Sequence, residues 1–272
     1  MRINQNIMAF NAYRNLAQTN GMLGKSLEKL SSGFRINRAA DDAAGLVISQ
    51  ALRAQVSGLR VASRNAQDGI SVVQTAEGAL NEVHTMLNRM RDLAVQAANS
   101  GSNDTTATGA AQAEIDALAA EITRISQQTK FGNTTVLDGG FVKQFQIGAN
   151  AGEVLTVSLG TSLNASVLGV SALSVGTAGV ASAAITAIDT AISTVSTTRA
   201  LLGAFQNRFE SVVNNLQVAS ENLAASESRI RDTDMALEMV TFTRHQILIQ
   251  AGTAMLGQAN STPQSVLRLL QQ

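Results

Sequence analysis

No cysteine occurs anywhere in the 272 residues, so neither a disulfide framework nor thiolate chemistry is available. A single proline, Pro263, leaves almost the whole chain free of the residue that breaks helices. Aromatic residues are 3% with no tryptophan, and charged residues are 15%, well below the usual quarter. The 20 basic and 20 acidic side chains cancel, and no block of like charge marks a nucleic-acid footprint. The N-terminal stretch MRINQNIMAFNAYRNL lacks the apolar centre of a secretory signal, and no apolar run approaches membrane-spanning length. The expectation is a soluble, uncleaved chain. Ala, Ser, Thr, Asn and Gln fill the place of charge, so its surfaces can approach one another closely.

What is present is helical periodicity. The stretch from Ala181 to Ala251 contains one glycine, Gly203, and no proline. Its apolar positions alternate by three and four through Ala184, Ile188, Ala191, Val195, Leu202, Phe205, Phe209, Val212, Leu216, Ala219, Leu223 and Ile230. Thr198 and Ser226 interrupt the row, and the positions between carry charges and amides. A repeat averaging ~3.5 residues makes a narrow apolar stripe that needs partner helices. At a rise of about 1.5 Å per residue the stretch reaches roughly 100 Å, longer than any compact core requires.

Residues 1–33 read as a first helix with seam positions Tyr13, Leu16, Leu23, Leu27 and Leu30 and a polar insertion at Asn20. Ser32-Gly33 ends it. A polar connector follows, closing on Asp41 and Asp42, which suit the start of the next helix. That second helix spans roughly 43 to 98 on Leu52, Val56, Leu59, Ala66, Ile70 and Val73, then on Ala76, Leu80, Val83, Leu87, Met90, Ala94 and Ala97. Between Val73 and Ala76 the phase slips, as in a stammer. A polar loop at 99–108 leads to a third helix from Ala110 to Thr129. From Phe131 to Val175 the period shortens and glycines punctuate it, which predicts one β-hairpin and irregular chain. Beyond Ile230 a second polar connector, Arg231-Asp232-Thr233-Asp234, precedes a last apolar segment on Leu237, Val240, Ile247, Leu248, Ala251, Met255 and Leu256. Pro263 kinks that segment or restarts it with Thr262 as cap.

The fold class expected is mainly α: a long coiled-coil bundle with paired terminal helices and one small β-hairpin region in mid-chain. Five parts follow: terminal helix and connector (1–42), bundle (43–130), hairpin region (131–180), long bundle helix (181–230) and a C-terminal core half (231–272). Both ends are long, apolar on one face and poor in charge; isolated helices of that kind are marginal in water. Contacts with further copies would order them, and head-to-tail contacts that do not close build a helical filament.

These residues resemble bacterial flagellin. The strings that carry the resemblance are LSSGFRINRAADDAAGL (30–46), SRNAQDGISVVQTAEGALNEVH (63–84) and RMRDLAVQAAN (89–99). The C-terminal half adds SENLAASESRIRDTDMALEMV (220–240), QILIQAGTAMLGQAN (246–260) and PQSVLRLL (263–270). The resemblance covers about residues 1–140 and 185–272. It implies an extracellular filament subunit, exported through the flagellar type III apparatus without cleavage. Its terminal helices (Tyr13, Leu16, Leu23, Leu27, Leu30, Leu237, Val240, Ile247, Leu248, Met255, Leu256) would form the inner tube. A bundle seamed on Leu52, Val56, Leu59, Leu80, Val83, Leu87, Leu202, Phe205, Phe209, Leu216 and Leu223 would surround that tube. It also implies an export chaperone, a filament cap and hook-junction proteins as partners, and a host Toll-like receptor reading Arg89, Leu93 and Glu114. The short middle departs from longer flagellins, whose variable outer domains are missing here.

Catalytic, metal and cofactor signals do not rise above chance. Gly24-Lys25-Ser26 lacks the glycine five positions earlier, where Thr19 stands, and no strand precedes it. Ser26 and Lys29 make an S-x-x-K spacing without its companion motifs. His84 and His245 are the only histidines and neither opens an H-E-x-x-H motif. Neither enzyme activity nor a cofactor is expected, nor binding to nucleic acid or insertion into membrane. The competing functions are a hook–filament junction protein of related build and a secreted coiled-coil adhesin.

Overall fold

The computed structural model describes residues 5–99 and 104–270, with side chains to Thr262. The elements in order are α1 (Ile7–Ser32), α2 (Ala43–Ala98), α3 (Thr105–Gln128), β1 (Lys130–Phe131), β2 (Thr134–Thr135), β3 (Phe141–Gln146), β4 (Val154–Leu159), α4 (Ala178–Arg231) and α5 (Met235–Leu270). The chain is mainly α, as its periodicity indicates. It divides into two compact units. One is built from the residues up to Ala54 together with those from Asn222 onward, the other from Gln55–Glu221. The boundaries therefore fall inside α2 and α4, and residues 43–54 and 222–230 belong with the terminal helices instead of with the bundle.

Short polar side chains start the helices. The Asn6 side chain accepts from the Ala9 amide at 3.0 Å, Asp42 from Gly45 at 2.9 Å, Asp104 from Ala107 at 2.7 Å, and Asp234 from Ala236 and Leu237 at 2.9 and 3.1 Å. Each occupies amides that the first helical turn leaves without a partner. The Asp104 cap is why α3 begins at Thr105, five residues earlier than its apolar row suggests: Thr105, Thr106 and Thr108 carry no seam signal. Asp41 does not join Asp42 at the helix start. Its carboxylate turns back and accepts from the Asn37 and Arg38 amides at 3.2 and 3.0 Å, closing the connector. At the far end of the chain, α5 runs through Pro263 without restarting. The Thr262 hydroxyl donates to the Gln258 carbonyl at 2.8 Å.

Within the 55–221 unit one apolar core joins α2, α3, the strands, the loops after them and α4. In α4 the buried positions are Ala181, Ala184, Ile188, Ala191, Val195, Leu202, Phe205, Phe209 and Leu216, the row expected from spacing. In α2 a buried row runs through Ala62, Ala66, Gly69, Val73, Ala76, Leu80, Val83, Leu87, Met90, Ala94 and Ala97, unbroken threes and fours, with Val72 and Leu93 buried beside it. The stammer expected between Val73 and Ala76 is therefore not there. Gly69 takes the seam instead of Ile70, because the Phe209 ring lies against its backbone: a methyl group on Gly69 would sit 2.6 Å from the ring. The double step of three falls earlier, through Val56, Leu59 and Ala62.

Two hairpins stand where one is expected. The smaller pairs β1 with β2 around Gly132, whose φ of 58° is a left-handed turn geometry. The larger pairs β3 with β4 from Phe141 opposite Leu159 to Gln146 opposite Val154. β4 alternates, burying Leu155, Val157 and Leu159. Phe145 on β3 meets Phe209 edge to face, centroids 5.4 Å apart, and Asn65 donates to the Gln146 carbonyl at 3.1 Å, so the hairpin is held to both long helices. Gln112 on α3 holds the following loop by both ends of its amide, to Leu173 and Val175.

One expectation from composition fails. An 18-residue window in α4 reaches a mean hydropathy of 1.4, long and apolar enough to cross a membrane. Ser and Thr hide it from a search for unbroken apolar runs, and those at Thr186, Thr190, Thr194 and Thr198 turn their hydroxyls onto the carbonyl one turn back. Only 28% of the window is buried, the two-in-seven share of a packed seam, and those positions face the core.

Candidate assembly surface

α1 and α5 pack side by side in the terminal unit, with Cα atoms within 8 Å along their lengths; among the described residues no other helix pair runs so close. The reason lies in the residues between them. On α1 the covered positions are Ala9, Ala12, Leu16, Thr19, Leu23, Ser26 and Leu30; on α5 they are Phe242, His245, Ile249, Gly252, Leu256 and Ala259. Small side chains interleave with larger ones, so the backbones approach. Gly252 shows the fit: a methyl group there would come 3.2 Å from the Leu16 Cδ1. The Asn6 side-chain amide donates to the Ala259 carbonyl at 2.7 Å and fixes the register at the open end.

A second set of large apolar side chains points the other way. Ile7, Met8, Phe10, Tyr13, Met22 and Leu27 on α1 are exposed, as are Met235, Leu237, Met239, Val240, Ile247, Leu248 and Met255 on α5. Tyr13 is 63% exposed, Leu237 67% and Met255 65%. A free surface of this kind is far more apolar than a finished fold presents. Two concavities mark it. One of about 380 Å³ lies between α1 and α5, edged by Leu16, Thr19, Leu248, Gly252 and Met255. The other, about 480 Å³, is a shallow hollow on α5 bounded by Met239, Val240, Arg244, Ile247 and Leu248. Arg244 is the one charge on α5 between Glu238 and Thr262.

The two connectors close the other end of this hairpin. Phe34 and Asp232 form an antiparallel bridge. The Arg35 amide donates to the Arg231 carbonyl at 2.6 Å, and the Thr233 amide to the Gly33 carbonyl at 3.0 Å. The Arg35 guanidinium donates to the Arg229 and Ile230 carbonyls at 3.3 and 2.6 Å, satisfying the end of α4 where the dipole is negative. The Arg231 guanidinium lies 4.3 Å over the Phe34 ring. Gly33 has φ of 74° and ends α1 by donating to the Lys29 carbonyl at 2.8 Å. The Arg38 and Asn37 amides hold the Asp41 carboxyl below its ordinary pKa. Glu28 accepts from Asn37 and Arg38 at 3.0 and 2.7 Å.

The residues named from sequence divide by face. Leu16, Leu23, Leu30 and Leu256 are half-buried inside the hairpin; Tyr13, Leu27, Leu237, Val240, Ile247, Leu248 and Met255 lie outside. The covered row on α1 thus runs one residue before the row Tyr13, Asn20, Leu27. Spacing alone missed the inner row because Ala12, Thr19 and Ser26 are small; their regular recurrence was the available signal. In the bundle, Leu80, Val83, Leu87, Leu202 and Phe209 are fully buried, Val56, Phe205 and Leu216 nearly so, and Leu59 half-buried; Leu52 and Leu223, named with them, are half-buried in the terminal unit. Arg89 and Glu114 meet on the surface in a 2.7 Å ion pair, with Glu114 raising the arginine pKa through the hydrogen bond. Leu93 does not share that surface: at 4% exposure it packs in the core. Among the described residues no group of three or more His, Asp or Glu side chains could hold a metal ion.

With that geometry in place, comparison with known proteins gives a consistent answer. Residues 3–141 match the bacterial flagellin N-terminal helical region and residues 185–270 the bacterial flagellin C-terminal helical region. A flagellin of Halalkalibacterium halodurans is 51% identical over 272 residues, covering 99% of this chain and 100% of that protein. A flagellin of Bacillus subtilis is 46% identical with the same coverage of both. The flagellar filament 33 kDa core protein of Treponema phagedenis is also 46% identical, again over 99% of this chain and all of its own length. Among solved structures, the crystal structure of Bacillus cereus flagellin aligns with a TM-score of 0.51 at 32% identity, over 60% of this chain and 94% of that one.

Proposed function

The chain belongs to the bacterial flagellin family, whose members are structural subunits of flagellar filaments, and we propose that it polymerises through the outer face of the α1–α5 hairpin. The observation that carries this reading is a second, uncovered apolar face on the hairpin. Leu16, Leu23, Leu30, Phe242, Ile249 and Leu256 pack inward among smaller residues, while Tyr13, Leu237, Val240, Ile247, Leu248 and Met255 face solvent. Covering each such side chain is worth about 1.5–3 kcal/mol, and a neighbouring hairpin of the same chain offers a matching apolar surface. Because that contact joins one copy to the next without closing, it extends as a helical polymer. The role is mechanical, outside the cell and without catalysis. Export through the flagellar apparatus would deliver the chain, and a chaperone, a filament cap and hook-junction proteins would meet its terminal helices. A host Toll-like receptor would meet the Arg89–Glu114 pair, and an Arg89→Ala variant with undiminished receptor signalling would remove that contact from the list.

Seeded growth tests the main reading. Purified chain should add to short filament seeds without limit, whereas a junction protein would stop early and an adhesin would stay in the supernatant. Removing residues 1–30 should leave a helical bundle that no longer elongates seeds. Normal elongation by that fragment would overturn the hairpin account.

A further inference from the structure

Methionine is distributed unevenly in this chain. Met86 and Met90 pack in or against the core of the 55–221 unit, Met90 with no exposure at all. The other five beyond the first residue are Met8 and Met22 on α1 and Met235, Met239 and Met255 on α5, and all five are exposed. Met239 borders the hollow on α5, and Met255 borders the groove between α1 and α5. An unbranched thioether suits a surface that must adapt to a partner. The same sulfur is open to a mild oxidant, and with no cysteine in the chain it is the side chain that a peroxide meets first.

We propose that Met8, Met22, Met235, Met239 and Met255 form a modification site for two-electron oxidants of the peroxide class, and that their sulfoxides block addition of the chain to a filament. The inference rests on the reading that this face is the polymerising one. In the step itself, the sulfur lone pair takes the terminal oxygen of hydrogen peroxide. The O–O bond breaks as the S–O bond forms, sulfur is oxidised by two electrons, and the departing hydroxide leaves as water with the remaining proton. An apolar, pliable side chain becomes a polar one with a strong acceptor oxygen. On a face that is to be covered by apolar side chains, that oxygen loses its water and finds no donor. The core methionines are shielded, so the bundle keeps its structure while the terminal face is changed. Sulfoxide reductases reverse the reaction, which makes the site a reversible block on unassembled chains.

The test treats full-length, unassembled protein with hydrogen peroxide, removes the oxidant with catalase, and follows elongation of untreated seeds. Peptide mass spectrometry locates the added oxygens and circular dichroism follows helix content. We expect sulfoxide at the five terminal positions before Met90, unchanged bundle helicity and elongation at least tenfold slower, restored by methionine sulfoxide reductases. A variant with all five replaced (M8L, M22L, M235L, M239L, M255L) should keep its rate through the same treatment. Elongation within twofold of untreated protein despite full oxidation at the five sites would overturn the proposal, as would equal loss in the leucine variant. If the leucine variant fails to assemble, reductase rescue of oxidised wild type decides: recovery supports the site and no recovery sinks it. Untreated protein that fails to elongate seeds removes the polymerising reading, and this inference with it, so the untreated arm separates the two failures.

Discussion

The 55–221 unit and the terminal unit use the same alternation of threes and fours but leave their large apolar side chains in different places. In the bundle the seams are filled by Leu80, Leu87, Met90, Ile188, Leu202 and Phe209 with alanines between them, the helices stand apart, and these large residues are covered. In the hairpin Ala12, Thr19, Ser26, Gly252 and Ala259 alternate inward with Leu16, Leu23, Leu30 and Leu256, the helices close up, and a further set of large residues remains outside. Helix separation follows the side chains at the contact, so each arrangement is self-consistent. What differs is where the apolar area goes. The bundle covers its largest apolar side chains within one chain; the hairpin covers one face and leaves a second, with Tyr13, Leu237 and Met255, exposed.

The largest expected effect lies in the completed unit. Phe209 carries the Gly69 contact and the edge-to-face pair with Phe145, and its replacement by alanine opens a cavity at the meeting point of α2, α4 and β3. Phe209→Ala should destabilise the bundle by about 3–5 kcal/mol, read as a shift in the denaturation midpoint at constant slope. A change below about 1 kcal/mol would mean the bundle is less finished than its burial indicates.

Next comes a change that should leave the single chain alone. Ile247 is 59% exposed, so Ile247→Asp should alter unfolding by no more than about 0.5 kcal/mol. Placed in a covered apolar face, an unpaired carboxylate is costly, and seeded elongation should fall by a hundredfold, about 2.7 kcal/mol. Equal elongation by this variant would put the assembly surface elsewhere. The inner seam should respond in the reverse sense. Gly252→Leu sets a large side chain against Leu16 and should cost the hairpin about 1–3 kcal/mol by overpacking, visible as faster amide exchange in α1. If α1 is unaffected, the close approach is not what holds the hairpin.

That contrast also explains which parts of the molecule could be read from residues alone. The α4 row, the bounds of α2 and both connectors were legible because large apolar residues recur at helical spacing and Gly33 and Asp232 interrupt them. The α2 register was misread at a single residue: hydropathy favours Ile70, and only the Phe209 ring across the interface puts Gly69 on the seam. Of the hairpin's inner face only Leu16, Leu23, Leu30 and Leu256 were legible, since small residues carry little hydrophobic signal and their role appears only when the partner helix is in place. The outer face was easier to find, because exposed Leu237, Ile247 and Met255 are what a sequence shows most plainly. The small β1–β2 hairpin has two-residue strands, too short for any period to show.

The smallest expected effect concerns the connector that joins α1 to α2, where the contrast is one of charge. Asp41 is held below its ordinary pKa of 3.8 chiefly by the Arg38 amide, then by the Asn37 amide, against an opposing loss of solvation, with Lys25 and Lys29 adding weaker attraction. A carboxyl with a lowered folded pKa contributes its stability above the unfolded pKa and loses it as pH falls through the folded one. From neutral pH down to about 4 the turn should therefore be unchanged. Below that it should loosen, with the Asn37 and Arg38 amides losing protection at a pH lower than that of an isolated aspartate. Asp41→Asn keeps an acceptor oxygen but removes the charge, and it should flatten this dependence while leaving α1 and the bundle untouched. Amide shifts of Asn37 and Arg38 followed between pH 6 and 2 read the effect directly; a midpoint at or above the ordinary value would show that the connector is not closed by this carboxylate.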